Sequence, residues 1–191
     1  MSANIRRKVA IATAIALVMV ATRGYHVGSE FNLGDASLAA FFLGGLYLGG
    51  AGWFLALIGV AAATDWLAIA GGVSAWCVTP AYPFLALGYG ALWLCGRAAA
   101  PLQEVALSQL VRVTGYLLAG SLAAFVISNL SFFLLSDYFT GMSLATYAAR
   151  VVQYFWPYVG YALLYTAVGL MVHGIVVALR GQSAASPTRG V

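Results

Sequence analysis

The sequence predicts an all-α membrane protein, a bundle of six transmembrane helices with both termini in the cytoplasm. Of its 191 residues, 63% are hydrophobic and only 7% are charged. A soluble domain carries about 25% charged residues, so this chain has too little polar side chain to cover a surface in water. Its apolar runs are long and continuous, which favours helices over the alternating strands of a membrane barrel.

The first helix is predicted over about 5–22. Its apolar part, residues 9–21, follows the basic run Arg6-Arg7-Lys8. A signal peptide begins in the same way, but the small-residue cleavage context is poor here. We therefore interpret this segment as a retained transmembrane helix.

The second and third helices are predicted over about 36–49 and 53–68. The apolar stretch 36–63 is too long for one span of about 20 residues. The run Gly49-Gly50-Ala51-Gly52 interrupts it and predicts a tight turn. Three glycines also offer a small-residue face on which another helix can pack closely: Gly44, Gly45 and Gly49.

The remaining apolar runs predict three more helices, over about 81–95, 110–135 and 155–179. A polar loop follows the fifth helix, with a short amphipathic helix around 143–154. A Ser- and Pro-bearing tail is predicted to be disordered from about 182. The chain, residues 1–191, is interpreted as one integral membrane domain.

The distribution of charge predicts the orientation. With six spans, the side that holds the termini carries seven of the nine basic residues, and the opposite side carries only Arg23 and Arg150. Basic residues accumulate in cytoplasmic loops, so the termini are predicted to be cytoplasmic. Four of the five acidic residues then lie on the outward side.

Two function classes are excluded by the basic residues. Lys8 is the only lysine, so the chain has no GxxxxGK[ST] phosphate loop and no nucleotide site of that type. Any ATP-driven step is expected from a partner chain. The arginines are scattered at helix ends and form no stripe, so no nucleic-acid partner is expected.

The outward loops and helix ends collect aromatic and titratable residues. Taken singly, each ring is typical of the aromatic belt at a membrane interface. Ionisable groups among the rings favour a functional cavity instead. The members are Tyr25, His26, Asp65, Trp66, Trp76, Cys77, Tyr82, Phe84, Tyr138, Tyr147, Arg150 and Trp156.

Cys77 says more about the ligand than any other residue of this group. If the 18 residues to Cys95 were all helical, the two would lie about 27 Å apart, beyond disulfide reach. Cys77 is then an inert buried thiol or a soft ligand for a metal. A zinc ion needs more ligands of this kind. A single thiolate suffices for the axial position of a chelated metal, which indicates a metallated cofactor.

Two other polar residues, His26 and Arg150, keep two interpretations each. His26 is either an interfacial histidine or a site residue that meets Asp65 or the ligand. Arg150 pairs with an anionic group of the ligand or with Asp137. His173 is expected to be structural.

An enzyme with a Cys77 nucleophile and a His26 base is an alternative function from another class, although no further residues complete a catalytic set.

Six short helices, cytoplasmic termini, an outward cavity and no nucleotide site resemble the substrate-binding S-components of energy-coupling-factor (ECF) vitamin transporters. The first helix adds two overlapping AxxxA spacings, with which that family docks on its transmembrane coupling subunit. Alanines one turn apart allow close helix approach. The resemblance implies a coupling module with ATPases as partner, and docking through Ala10, Ala12, Ala14 and Ala16. The alternative is a protein that acts without such a module.

Within that group, the chain resembles the BtuM-type cobalamin S-components of Gram-negative bacteria. The resemblance rests on His26 in the first loop, Asp65, and the run from Trp76-Cys77 to Pro80-Ala81-Tyr82. It implies an inner-membrane, non-enzymatic protein for uptake of vitamin B12 (cobalamin) from the periplasm. Cys77 would ligate the cobalt. A flavin- or thiamin-type S-component is the alternative. The other residues expected around the ligand are His26, Asp65, Tyr82, Trp76, Phe84, Tyr25, Tyr138 and Arg150.

Overall fold

The computed structural model describes residues 2–23, 34–102 and 106–185, except for the side chains of Cys77 and of residues 180–185. Within these ranges the chain is helical and contains no strand. Short 3-10 turns lie at Ala75–Cys77, Asp137–Phe139 and Val152–Tyr154. The helices are α1 (Ala3–Arg23), α2 (Ser37–Tyr47), α3 (Ala51–Ala70), α4 (Phe84–Ala99), α5 (Leu107–Leu135), α6 (Leu144–Val151) and α7 (Phe155–Ala185).

The length and apolar composition of its helices indicate a membrane protein. Three of the described helical segments are long and apolar enough to cross a bilayer: α3, α5 and the continuous stretch Leu144–Leu179, which includes most of α7. Helices α2 and α4 are apolar but shorter. Apart from the eight-residue α6, the described residues form six helices, as the sequence predicts.

Helix α2 forms the centre of the bundle. Ten of its eleven residues are buried, and it contacts α1, α3, α4, α5 and α7. Eleven residues rise only about 16 Å, roughly half the thickness of the hydrocarbon layer. A short helix with irregular ends is tolerated at membrane depth when protein surrounds it, because its end groups are then shielded from lipid.

Glycines allow α2 and α4 to approach each other closely. A Cβ atom on Gly45 would collide with the carbonyl oxygen of Trp93, and one on Gly96 would collide with that of Phe42. Gly44 lies against the Trp93 ring. The predicted packing face is therefore confirmed for Gly44 and Gly45. Gly49 was assigned wrongly to that face: it has a φ of 59°, no neighbour for a Cβ atom within 4 Å, and forms the turn before α3.

The helix bounds differ from the predicted ones in a few places. Helix α4 begins at Phe84 and not near 81, because residues 80–83 form hydrogen-bonded turns in a segment that contains two prolines. Helix α7 continues to Ala185, past the predicted start of the tail at 182. The predicted amphipathic segment is confirmed as α6, whose first turn is capped by the Ser143 hydroxyl.

We expect Gly45→Ala to destabilise the bundle by about 1–3 kcal/mol, because the added methyl group forces α2 away from the α4 backbone. Thermal unfolding in detergent measures the change. Gly59→Ala is the matched control, since Gly59 lies inside α3 with open space around it. Its stability should be unchanged or up to about 1 kcal/mol higher. Equal stability of the two variants would contradict the assigned packing.

Candidate ligand-binding site

A cavity of about 550 Å³ lies at one end of the bundle. It is enclosed by the end of α1, the start of α2, the last turns of α3, the connection to α4, and parts of α4, α5 and α7. This is the end that the charge distribution predicts to face outward. The lining residues on which the site depends are Arg23, Gly34, Asp35, Asp65, Ser74, Val78, Tyr82, Tyr89, Ser128, Tyr158 and Tyr161.

One guanidinium group joins four helices at the wall of this cavity. Arg23, the last residue of α1, donates to both carboxylate oxygens of Asp65, from Nε at 2.6 Å and from Nη2 at 2.7 Å. Its Nη1 donates to Asp35 at 3.2 Å and to the hydroxyls of Ser37 and Tyr89, each at 2.7 Å. Only 8% of Arg23 is exposed. A buried charge needs such complete pairing.

The same network caps the N-terminus of α2. The first amide groups of a helix have no partner within the helix. Here Asp35 Oδ1 accepts from the Ser37 amide at 2.9 Å and from the Ser37 hydroxyl at 2.6 Å. The hydroxyl of Thr22 in α1 accepts from the Ala36 amide at 3.0 Å. The buried beginning of α2 is thus satisfied by side chains that also form the site.

Tyr82 connects the loop before α4 to this network. Its phenol donates to Asp65 Oδ2 at 2.6 Å. Burial, together with the hydrogen bond to Asp65, raises the pKa of Tyr82 to about 12. Asp65 lies inside α3, five residues before its last residue, Ala70. The structure therefore brings together two of the residues predicted around the ligand.

The turn that carries Cys77 borders the cavity. Ser74 and Val78, on either side of Cys77 in sequence, both line it. The turn is held from outside by aromatic rings. Trp76 stacks on Tyr138 at a centroid distance of 5.0 Å and meets Phe132 edge to face at 5.1 Å. The Tyr138 phenol donates to the Trp76 carbonyl oxygen at 3.3 Å.

Four residues predicted to contact the ligand do not line the cavity: Trp76, Phe84, Tyr138 and Arg150. Trp76 and Tyr138 instead support the Cys77 turn, and both are about half exposed. Arg150 is exposed, and in the described part of the chain it forms no salt bridge with Asp137. The predictions for Tyr25 and His26 fall outside the described residues.

The other aromatic members of the predicted cluster divide between interface and core. Trp66 and Trp156 are 63% and 70% exposed, as expected of an interfacial belt. Tyr147 is buried between Phe133 and Phe139 and has a packing role. His173 stacks against Tyr47 at 5.5 Å, away from the cavity.

The cavity also contains residues that the sequence interpretation missed. Arg23 was used only for orientation, and the tyrosines of α7 were not assigned to the site. Tyr158, Tyr161 and Tyr165 are spaced at i, i+3 and i+7, which places them on one face of a helix and could have indicated their common role. Tyr158 and Tyr161 line the cavity. Tyr165 donates to the carbonyl oxygen of Gly34 at 3.0 Å.

Cys95 has no disulfide partner in the described part of the chain. The continuous helix from Cys77 to Cys95, on which the expected separation of about 27 Å was based, is not present, because residues 78–83 are not helical and α4 begins only at Phe84. Among the side chains that the structure describes, no three His, Cys, Asp or Glu residues gather as a metal-ion site.

A scan against protein-family models and a search of curated proteins found no match to this chain. What it binds is therefore inferred from its residues, its cavity and the resemblance described above.

We expect Arg23→Met to lower the stability of the protein by about 3–5 kcal/mol, because two partly buried carboxylates lose their buried cation. Thermal unfolding in detergent gives the loss. Arg97→Met is the matched control, since Arg97 is exposed in the last turn of α4. A small, equal effect of both substitutions would show that the Arg23 network does not hold the helices.

We expect the Tyr82 phenol to ionise near pH 12 and not near 10. The folded state favours the neutral phenol, so its stabilising effect is complete below pH 10 and is lost as the pH rises through 12. The tyrosinate absorbance lost in Tyr82→Phe measures this midpoint. Tyr154→Phe, which removes an exposed phenol, controls for the subtraction. A Tyr82 midpoint at 10 would contradict the buried hydrogen bond.

Proposed function

We propose that this chain is the substrate-binding membrane subunit for uptake of cobalamin across a bacterial inner membrane, with both termini cytoplasmic and the cavity facing the periplasm. The observation that carries the proposal is the position of the Cys77 turn. Two lining residues, Ser74 and Val78, flank Cys77, so the thiol belongs to a segment at the edge of a ligand-sized cavity. The resemblance to BtuM-type S-components supplies the identity of the ligand.

The chemistry of the cavity suits a large ring bordered by amides. Its volume of about 550 Å³ is in the range of small-molecule sites, roughly 300–1,000 Å³. Carboxylate oxygens accept hydrogen bonds from amide N–H groups, and phenols either accept from amide N–H groups or donate to amide oxygens. Apolar side chains such as Leu38, Ile69 and Leu85 offer contact to the faces of a ring. Cobalamin would place one edge of its corrin in the cavity and extend beyond its mouth.

The proposed role of Cys77 is to ligate cobalt. The thiol loses its proton, its sulfur forms a bond to one axial position of cobalt, and the ligand on that face leaves with a proton. A metal ion lowers the pKa of a thiol that binds it, so this exchange is feasible near neutral pH. Trp76, Phe132 and Tyr138 support the turn. This support would limit movement of the turn and of the thiol that it carries.

Release to the cytoplasm requires movement of the bundle, either with an ECF coupling module as partner or by this chain alone. Helix α1 offers a narrower docking face than the sequence predicts. Ala12 and Ala16 pack against the core of this chain, whereas Ala10 and Ala14 are exposed. The proposed docking face is therefore centred on Ala10 and Ala14, because Ala12 and Ala16 are partly buried against the core and offer less surface to a partner.

Absorption spectroscopy tests the ligand and the role of Cys77 together. Protein purified from cells supplied with cobalamin is expected to be red, with a spectrum shifted from that of free cobalamin by sulfur ligation. In Cys77→Ser the shift should disappear, because a hydroxyl is a poor soft ligand. Cys95→Ser is the matched control, since it changes the other cysteine and should retain the shift.

Other results would overturn the proposal in distinct ways. A shift that persists in Cys77→Ser would remove the thiolate ligand but leave cobalamin as the substrate. A yellow ligand, or tighter binding of thiamin than of cobalamin, would indicate an S-component for another vitamin. Turnover of a substrate that is lost in Cys77→Ala would indicate a membrane enzyme.

A further inference from the structure

The charges on the described residues that line the cavity are unbalanced. Among its described lining residues, three are charged: Arg23, Asp35 and Asp65. One guanidinium therefore faces two carboxylates, and the group carries a net charge of −1. The remaining polar residues of the lining are hydroxyl-bearing and uncharged, namely Ser74, Ser128, Tyr82, Tyr89, Tyr158 and Tyr161.

The Arg23 guanidinium makes its hydrogen bonds to the protein and is shielded from the cavity. All three nitrogens of the Arg23 guanidinium donate to protein oxygens. Its side chain is 7% exposed, whereas the side chains of Asp35 and Asp65 are 31% and 21% exposed. Water or a ligand in the cavity therefore meets the carboxylates more than the cation.

One of the phenols that could bind an anion is also occupied. Tyr82 donates its only proton to Asp65. A carboxylate or phosphate group placed here would face like charge at short range in a partly buried site, where screening by water is weak. An amide nitrogen or a cation would instead donate to Asp35 or Asp65.

We infer that this cavity selects ligand groups that are uncharged or cationic and discriminates against anionic ones. The inference rests on the proposed function and sharpens its substrate class. Among corrinoids, the protein prefers those whose ring side chains are amides over those in which a side chain that reaches the cavity is a free carboxylate. The discriminating residues are Asp35 and Asp65, with Arg23 as the group that holds both in place.

The experiment compares cobalamin with its three monocarboxylates, in each of which one propionamide has been hydrolysed to propionate. These probes differ from cobalamin by one charge and almost no volume. We expect the isomer whose carboxylate enters the cavity to bind about tenfold more weakly than cobalamin at low ionic strength. The difference should narrow in high salt. Titration of the purified full-length protein in detergent gives the dissociation constants.

Substitution of Asp35 identifies the source of the discrimination. Asp35→Asn leaves one carboxylate for one guanidinium, so the difference between amide and carboxylate probes should fall to about threefold or less. Asp35→Glu keeps the charge and is the matched control, in which the difference should persist. The salt dependence of the unaltered protein gives the same information if Asp35→Asn does not fold.

The outcomes separate this inference from the proposed function. Equal binding of cobalamin and all three monocarboxylates, or a difference that neither salt nor Asp35→Asn reduces, would overturn the inference and leave cobalamin uptake standing. Failure of cobalamin itself to bind would overturn both.

Discussion

The buried pairing of Arg23 with Asp35 and Asp65 is the constraint on which the rest of this end of the molecule depends. An unpaired guanidinium at membrane depth is costly, so the ends of α1, α2 and α3 must meet wherever this group lies. Tyr89 brings α4 to the same point, and Tyr82 brings the loop before it. The cavity is the space left beside these converging ends.

Away from the site, the bundle is held by contacts of another kind. Helix α2 is almost fully buried, and its glycines allow the backbone of α4 to approach closely. Lipid tails are as apolar as leucine, so close packing of small residues stabilises helix pairs where hydrophobic burial alone cannot. The result is a closely packed central pair of helices, α2 and α4, with the polar cavity at one end. The connection that carries Cys77 lies outside this pair and takes its support from aromatic rings.

This division suits a protein that captures a ligand from solution. The charged network and the buried start of α2 provide a fixed wall, while the Cys77 turn and its rings Trp76 and Tyr138 remain at the surface, where a large ligand can approach. Helix α1 contributes both to the ligand cavity and to the proposed docking face. Its last residue is Arg23, and its exposed Ala10 and Ala14 belong to the proposed docking face. Tilting of α1 would therefore act on the cavity wall directly.

Composition and charge alone predicted a helical membrane protein and the six main helices that the described residues form, because hydrocarbon permits few alternatives for long apolar runs. The helix α6 and the turn at Gly49 also followed from local sequence. Which side chains form the cavity was decided only by the tertiary structure. Arg23 meets Asp65 across 42 residues, and the rotation of each helix about its axis depends on its neighbours. For the same reason, AxxxA spacing could not tell that Ala12 and Ala16 face the core, or that Arg150 lies apart from the site.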